Sequence, residues 1–229
     1  MNYLYEMHLH TSEVSHCGAV SAAEAVKLYS EKGYSGIVVT DHFHSPRKQP
    51  EPETQAQWNR FIDSYLIGYK KAKEAAPKGF SVLLGLELRF PANDNDYLIY
   101  GVSEKLLRGN ILLYRSSPKK FRAFCDEHDL LFFQAHPFRN HMTVVPPAYL
   151  HGIEIGNYNQ RHDSRNDVAE LWAEKYGLKT VTGSDFHEYE DLAHGGIYTD
   201  EPVTSNEQLL RILKTGSYTL KTAPNPKGR

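Results

Sequence analysis

Short apolar runs alternate with longer stretches of mixed polarity along this chain, and the alternation predicts strands separated by helices. One run, GIVVT at Gly36–Thr40, is rich in β-branched residues and is typical of a strand that a parallel sheet buries on both faces. Seven runs are predicted to be strands: Tyr3–Met7, Gly36–Thr40, Ser81–Leu88, Tyr97–Val102, Leu130–Ala135, Gly152–Ile155 and Lys179–Thr182.

The stretches between the strands carry helix signals. Ser21-Ala-Ala-Glu24 is a capping box, and the helix that it opens should end at Gly33. By contrast, Pro91–Asp96 is a cluster of turn-forming residues. Further helices are predicted over Glu53–Ala76, from Ser117-Pro118 to about His128, over Arg165–Tyr176 with Gly177 as its cap, and from Ser205–Gln208 onward.

Strands separated by helices of this length imply a parallel sheet with helices outside it. About seven such units in 229 residues favour a closed barrel over an open sheet. No internal repeat or linker interrupts the pattern, so we predict one α/β domain over residues 1–221. Residues 222–229 include two prolines, a glycine and basic side chains, and are predicted to fray.

The composition is that of an ordinary globular protein, with 40% hydrophobic and 24% charged residues. A net charge of −2 argues against a long nucleic acid as partner. The sequence has no signal-peptide pattern, no membrane-length apolar run and only two cysteines, so we expect a cytoplasmic protein with reduced thiols and no membrane partner. The unusual number is twelve histidines, because histidine is a common metal ligand.

Residues of the metal-binding type follow five of the predicted strands. The carboxyl ends of barrel strands open onto one face, so these side chains should converge. Taken singly the signals are weak: His8-x-His10 puts two imidazoles on one side of a strand, but such pairs are common, and His136 has the simpler reading of a core histidine. Glu87 ends an apolar run and needs a partner or a metal to offset its desolvation. The strand-end set is His8, His10, Asp41, His42, Glu87, His136, Asp185 and His187.

These motifs resemble those of the PHP (polymerase and histidinol phosphatase) metallo-phosphoesterases, in the family's order and over nearly the whole chain. The resemblance implies a distorted (β/α)7 barrel that carries two or three divalent ions, commonly zinc, manganese or iron, and hydrolyses phosphate esters. The matching pieces are His8-Leu-His10-Thr11, His16, Thr40-Asp41-His42, Gly85-Leu-Glu87, Ala135-His136-Pro137 and Gly183-Ser-Asp185-Phe-His187.

Carried over residue by residue, the resemblance implies three groups of ligands. Many members have a histidine just before the fourth strand, but this chain reads Asn93-Asp-Asn-Asp-Tyr97 there. The third ion would then be completed by Asp94, Asp96 or water, or would be absent. The implied ligands are His8, His10, Glu87 and Asp185 for the first ion, His16, His42 and His187 for the second, and Glu87 with His136 for the third.

This ligand set predicts hydrolysis by a metal-bound hydroxide, with Glu87, Asp185 and Arg139 as the catalytic residues of the site. Mixed histidine and carboxylate ligands suit zinc, manganese or iron better than calcium or magnesium. Asp41 either fixes an imidazole or caps its strand. The family resemblance gives Cys17 no metal role, and it is interpreted as a small packed side chain.

The phosphate needs donors besides the metals, and Arg139 is the first candidate because a guanidinium matches two phosphate oxygens. HPFR stretches in family members support this placement. His141 lies near it in sequence, and Arg161 is the second choice. Other mouth-loop candidates are His44, Arg47, His162 and His194.

The prediction is a metal-dependent phosphoric ester hydrolase acting on a small phosphomonoester. Three alternatives stay open: a nucleotide phosphodiesterase or nuclease, an amidohydrolase-type enzyme, which also starts with a histidine pair after its first strand, and a non-catalytic metal-binding module. The oligomeric state, the metal and the physiological substrate are not determined by the sequence.

Overall fold

The structure is a computed structural model that describes residues 3–46 and 50–226. Its longer strands coincide with the seven predicted ones. The third predicted strand is divided at Gly85, and additional short strands occur at His42–Phe43 and near the end of the chain. The strands are β1 (Tyr3–Leu9), β2 (Gly36–Val39), β3 (His42–Phe43), β4 (Ser81–Leu84), β5 (Leu86–Arg89), β6 (Asp96–Tyr100), β7 (Leu131–Gln134), β8 (Gly152–Asn157), β9 (Lys179–Gly183), β10 (Gly196–Thr199) and β11 (Thr219–Lys221).

The predicted helices are present, with two differences. The helix predicted over Glu53–Ala76 is two helices that meet at Leu66, and a short helix follows Ser103, whose side chain accepts a hydrogen bond from the Leu106 amide. The helices are α1 (Ala22–Glu31), α2 (Gln55–Tyr65), α3 (Ile67–Ala75), α4 (Glu104–Gly109), α5 (Pro118–Glu127), α6 (Asn166–Tyr176) and α7 (Asn206–Thr215). No helix of the described ranges is long and apolar enough to cross a membrane.

The strands close into a distorted barrel. One sheet has the strand order β11-β10-β1-β2-β4, and the second has the order β3-β5-β6-β7-β8-β9. The chain passes from the first sheet to the second at Gly85, between β4 and β5. The two sheets meet again where a β-bridge pairs Leu9 with Phe186. Counting β4 and β5 as one strand gives the ring β1-β2-β4/β5-β6-β7-β8-β9, which confirms the predicted distorted (β/α)7 barrel and single α/β domain.

The predicted parallel sheet has an exception at β6, which is antiparallel to both β5 and β7. Only the turn at residues 90–95 connects β5 to β6, and it is too short for the helical crossover that a parallel neighbour needs. The start of β6 therefore lies beside the end of β5, with Asp96 paired to Arg89. Asp96 reaches the barrel mouth for this reason.

Two late strands and α7 complete the fold. β10 and β11, which the sequence analysis missed, extend the sheet: β10 pairs antiparallel with β1, and β11 pairs antiparallel with β10. α7 packs its apolar face near Gly101, at the end of β6 remote from Asp96; a β-carbon on Gly101 would lie 2.6 Å from Leu210. The predicted fraying of residues 222–229 stays a prediction: residues 227–229 lie outside the described part, while Oδ1 of Asn225 accepts a hydrogen bond from Asn166.

Candidate metal centre

Four residues assigned to one ion meet where β1 ends. The alternation along the strand puts His8 and His10 on one face, and their Nε2 atoms lie 3.1 Å apart. Oε1 of Glu87 lies 3.1 Å from Nε2 of His8, and Oδ1 of Asp185 lies 3.4 Å from Nε2 of each histidine. All four side chains are buried. Donor atoms of the metal-binding type therefore converge on one point.

A second group consists of His10, His42 and His187, with one ligand atom of each within 4.8 Å of the others. Nδ1 of His42 lies 2.7 Å from Oε2 of Glu87. Glu87 thus approaches His8 with one carboxylate oxygen and His42 with the other. This arrangement is consistent with a carboxylate shared between two ions.

The loop after β1 leaves His16 outside these groups. Its side chain is exposed, and no ligand group within the described ranges includes it, so its metal role stays a prediction. Cys17 lines the cavity instead. The interpretation of Cys17 as a packed side chain is wrong, because the residue is exposed. Desolvation raises the pKa of its thiol, but hydrogen bonds with His187 and His42 lower that pKa to about 6.

At the third predicted position, Nε2 of His136 lies 3.1 Å from Oε1 of Glu87. Asp96, buried at the start of β6, forms a third group of ligand-type residues with His42 and Glu87. Its two carboxylate oxygens also accept hydrogen bonds from Arg89, at 2.7 and 2.5 Å. Asp96 therefore lies near this position, but its carboxylate is already paired with the Arg89 guanidinium.

The pKa shifts of Glu87 and His10 favour the protonation states that bind a divalent ion. Although burial by itself raises the pKa of Glu87, His8 and His42 hold it well below its usual range. Burial lowers the pKa of His10, and His187 and His42 lower it further, which favours the neutral imidazole that a metal binds. Oε2 of Glu87 is buried without a hydrogen bond of good geometry in the described structure, despite its 2.7 Å approach to His42. A cation among these atoms would satisfy it.

Glu154, which the sequence analysis missed, fixes the first ligand. Its Oε1 lies 2.9 Å from Nδ1 of His8, while Oε2 accepts hydrogen bonds at 2.9 Å from the His136 amide and from Nδ2 of Asn157. A carboxylate on Nδ1 places the imidazole proton there and leaves Nε2 free for a metal. The available signal was an acid inside the apolar run GIEI, the same pattern as at Glu87.

Asp41 acts on His10 through Ser15. Oδ1 of Asp41 accepts hydrogen bonds at 2.7 Å from the Ser15 hydroxyl and from the Thr11 amide. Because the Ser15 proton is directed to Asp41, its Oγ, 3.1 Å from Nδ1 of His10, serves as an acceptor for that imidazole. Nε2 of His10 is left free in this way. The contacts therefore favour the interpretation that Asp41 orients an imidazole, and it does so indirectly, through Ser15.

Two of the predicted ligands have unusual backbone angles. His136 has φ 29° and Asp185 has φ 47°, a region that residues other than glycine seldom occupy. The surrounding contacts hold both in place: Glu154 accepts from the His136 amide, and Nδ2 of Asn159 donates to the Asp185 carbonyl at 2.9 Å. Strain of this kind concentrates at functional sites, where the rest of the fold maintains it.

A cavity of about 580 Å³ opens above the ligands. Arg139 enters it and donates from Nη2 to Asp185 at 2.8 Å and to Asn157 at 2.6 Å. Arg161 lies 3.2 Å from Glu188. Most residues of the wall have polar or charged side chains, and three of them are arginines. Its other predicted members are Asp94, His141 and His162, and Arg89, Asn140, Met142 and Asn159 were missed.

The remaining mouth-loop candidates do not line the cavity in the described part of the chain. The Nδ1 atom of His44 lies 2.8 Å from the Ser45 carbonyl, and Nε2 of His194 lies 3.0 Å from the Glu190 carbonyl. Arg47, another of these candidates, lies outside the described residues.

Solved structures share this fold. PsfC from Pseudomonas syringae PB-5123 is 14% identical with a TM-score of 0.67, over 97% of this chain and 92% of its own. Endonuclease Q, in complex with a 27-mer duplex substrate that carries an abasic lesion, is 14% identical with a TM-score of 0.64, over 94% and 57%. An amidohydrolase from Chromobacterium violaceum with bound sulfate and no metal is 15% identical with a TM-score of 0.58, over 94% and 97%.

At these identities the likeness concerns the fold alone, and no curated protein matches the chain in sequence. The family evidence comes from a direct sequence match: the family model of the PHP domain covers residues 6–220. That range contains every ligand-type residue described above. The chain therefore belongs to the PHP domain family.

Proposed function

We propose that the protein is a metal-dependent phosphoesterase that hydrolyses a small phosphomonoester. The observation that carries the proposal is the polar cavity, in which a buried histidine and carboxylate cluster lies beside three arginines. Metal ions and guanidinium groups together match the two to three negative oxygens of a phosphate.

The ligand-type residues divide into overlapping sets. His8, His10, Glu87 and Asp185 would hold one ion, and His42 and His187 a second, shared through His10 or Glu87, with His16 as the further candidate. When bound, divalent ions would supply Lewis acidity and lower the pKa of a water molecule toward neutrality. Zinc, manganese and iron suit this donor set.

The chain's own residues supply position and charge. Asn157 and Asp185 hold Arg139 at the edge of the cluster, so its guanidinium is fixed before any substrate arrives. Arg161 and His141 also line the cavity and would contact the substrate there. Burial of the ligands excludes water from behind the cluster and strengthens each of these interactions.

A second function, hydrolysis of nucleotide phosphodiesters, is favoured by the cavity, whose volume lies within the usual range of about 300–1,000 Å³ for small-molecule sites. Endonuclease Q, whose structure is a complex with a duplex substrate, shares this fold over 57% of its own chain. The net charge of −2 supports small substrates over long nucleic acids. An amidohydrolase reaction is less well supported, because no lysine is among the cavity-lining residues of the described ranges.

The test uses purified protein loaded separately with zinc, manganese or iron. We expect hydrolysis of p-nitrophenyl phosphate and of phosphorylated metabolites, little hydrolysis of bis-p-nitrophenyl phosphate or of N-acyl amino acids, and loss of activity on chelation. Full activity in metal-free protein would overturn the proposal. Preference for the diester would favour the second function, and preference for the amide would favour the amidohydrolase alternative.

A further inference from the structure

The Arg89–Asp96 pair lies at the third group of ligand-type residues. The antiparallel register of β5 and β6 puts the two residues directly opposite each other. Nε of Arg89 donates to Oδ1 of Asp96 at 2.7 Å, and Nη2 donates to Oδ2 at 2.5 Å. The Asp96 side chain is 4% exposed and that of Arg89 25% exposed. The carboxylate is thus engaged on both oxygens by a guanidinium at the cavity wall.

The contacts around Asp96 show what the guanidinium replaces. Oδ2 of Asp96 lies 4.0 Å from Nε2 of His136, and Asp96 groups with His42 and Glu87 at distances compatible with one ion. A cation bound there would need the Asp96 carboxylate that Arg89 holds. It would also lie beside a fixed positive charge, which repels it.

We propose that Arg89 takes the place of a third metal ion, so that this centre holds two ions, and that its guanidinium binds the phosphate of the substrate. The second part rests on the proposed function. Arg89 lines the cavity, and its Nη1 has no hydrogen-bond partner within the described ranges, so a donor is available to a phosphate oxygen. Asp96 is then a positioning residue for Arg89 rather than a metal ligand.

Metal stoichiometry tests the first part without any substrate. Metal-free protein is equilibrated with excess manganese or zinc, desalted and analysed by mass spectrometry for metal per folded chain. We expect about two equivalents in the parent, in Asp96→Asn and in the control Arg211→Met, which removes an exposed pair with Glu201. Arg89→Met frees the Asp96 carboxylate and should gain an equivalent, and Arg89→Met/Asp96→Asn should lose it again.

Three equivalents in the parent, falling to two in Asp96→Asn, would overturn the proposal, because Asp96 would then be a ligand. An unchanged two in folded Arg89→Met would also overturn it. If that variant does not fold, Arg89→Gln supplies the same test, since it also removes the positive charge and should also gain an equivalent.

The second part is tested by titrating the metal-loaded parent and Arg89→Lys with inorganic phosphate. Weaker binding by about 10-fold or more is expected, since lysine cannot reproduce the guanidinium fork. Equal binding would overturn the phosphate role. Because neither experiment measures turnover, failure of the phosphoesterase proposal would be seen separately, in the substrate panel.

Discussion

Replacement of Glu154 by glutamine should weaken metal binding although Glu154 is not itself a predicted ligand. Its Oε1 receives the Nδ1 proton of His8, and its Oε2 receives two protons, from the His136 amide and from Asn157. A glutamine amide must point its N–H2 at one of these two sides. Facing His8, it would donate to Nδ1 and move the imidazole proton to Nε2, the atom that faces Glu87 and Asp185. If the amide group faced His136 and Asn157, its N–H2 would point at two N–H donors and could not accept their hydrogen bonds.

The magnitude follows from those two arrangements. Loss of a carboxylate that orients a metal-binding histidine lowers metal affinity by about 10- to 100-fold, or about 1.4 to 2.7 kcal/mol. If the amide instead opposes the buried donors, the unsatisfied group lowers the free energy of unfolding by about 1–3 kcal/mol. One glutamine side chain adopts only one of these two arrangements. The variant should therefore lose either metal affinity or free energy of unfolding, and not the full amount of both.

Calorimetric titration of metal-free protein with zinc or manganese measures the affinity, and urea unfolding of the same samples measures stability. Glu127→Gln, at the exposed end of α5, is the matched control and should leave both unchanged. If Glu154→Gln matches the parent in affinity and in unfolding midpoint, the carboxylate has no part in directing the His8 proton.

The other predictions are independent of Glu154. Glu87→Gln should lower turnover by orders of magnitude and reduce metal content, because one carboxylate faces both ligand groups; normal metal content by mass spectrometry would remove it from the centre. Arg139→Ala should lower kcat/KM for a phosphomonoester by about 10- to 150-fold, the value of a charged contact of about 1.5–3 kcal/mol, with partial recovery in Arg139→Lys; parental kinetics in both would assign phosphate binding elsewhere. Gly68→Ala should destabilise the fold by about 1–3 kcal/mol in urea unfolding, since its β-carbon would lie 2.1 Å from Oγ1 of Thr11. Gly109→Ala, which meets nothing within 4 Å, is the control, and equal effects of the two would contradict the close packing behind Asp41.

Some predictions remain outside what the structure tests. The metal identity, the phosphomonoester substrate and the cytoplasmic location stay predictions, as do the roles of the individual ligands. His16 is the sharpest case, because the family resemblance implies a ligand while the structure leaves its side chain exposed. Metal content of His16→Ala would decide between the two.

The strands, and the positions of the metal-binding residue types along them, could be predicted from the sequence. An apolar run indicates a strand that is buried on both faces, and this signal is local to the run. The spacing of two residues between His8 and His10 puts both side chains on one face of their strand, whatever the strand packs against. The same local reasoning located Glu87 and Asp185 at strand ends. Because a closed barrel brings strand ends together, convergence of these residues followed without knowledge of any contact.

The direction of β6 and the hydrogen-bond partners of the ligand residues depend on contacts between distant segments. The turn at residues 90–95 was visible in the sequence, but whether it reverses the chain between paired strands depends on which neighbours the next strand meets. That reversal sets Arg89 opposite Asp96. Likewise, Glu154 lies 146 residues from His8 in sequence, and the loop after β1 turns Cys17 rather than His16 toward the cavity. The hydrophobic pattern of a segment does not indicate which distant segment it contacts, because such contacts depend on how the whole chain packs.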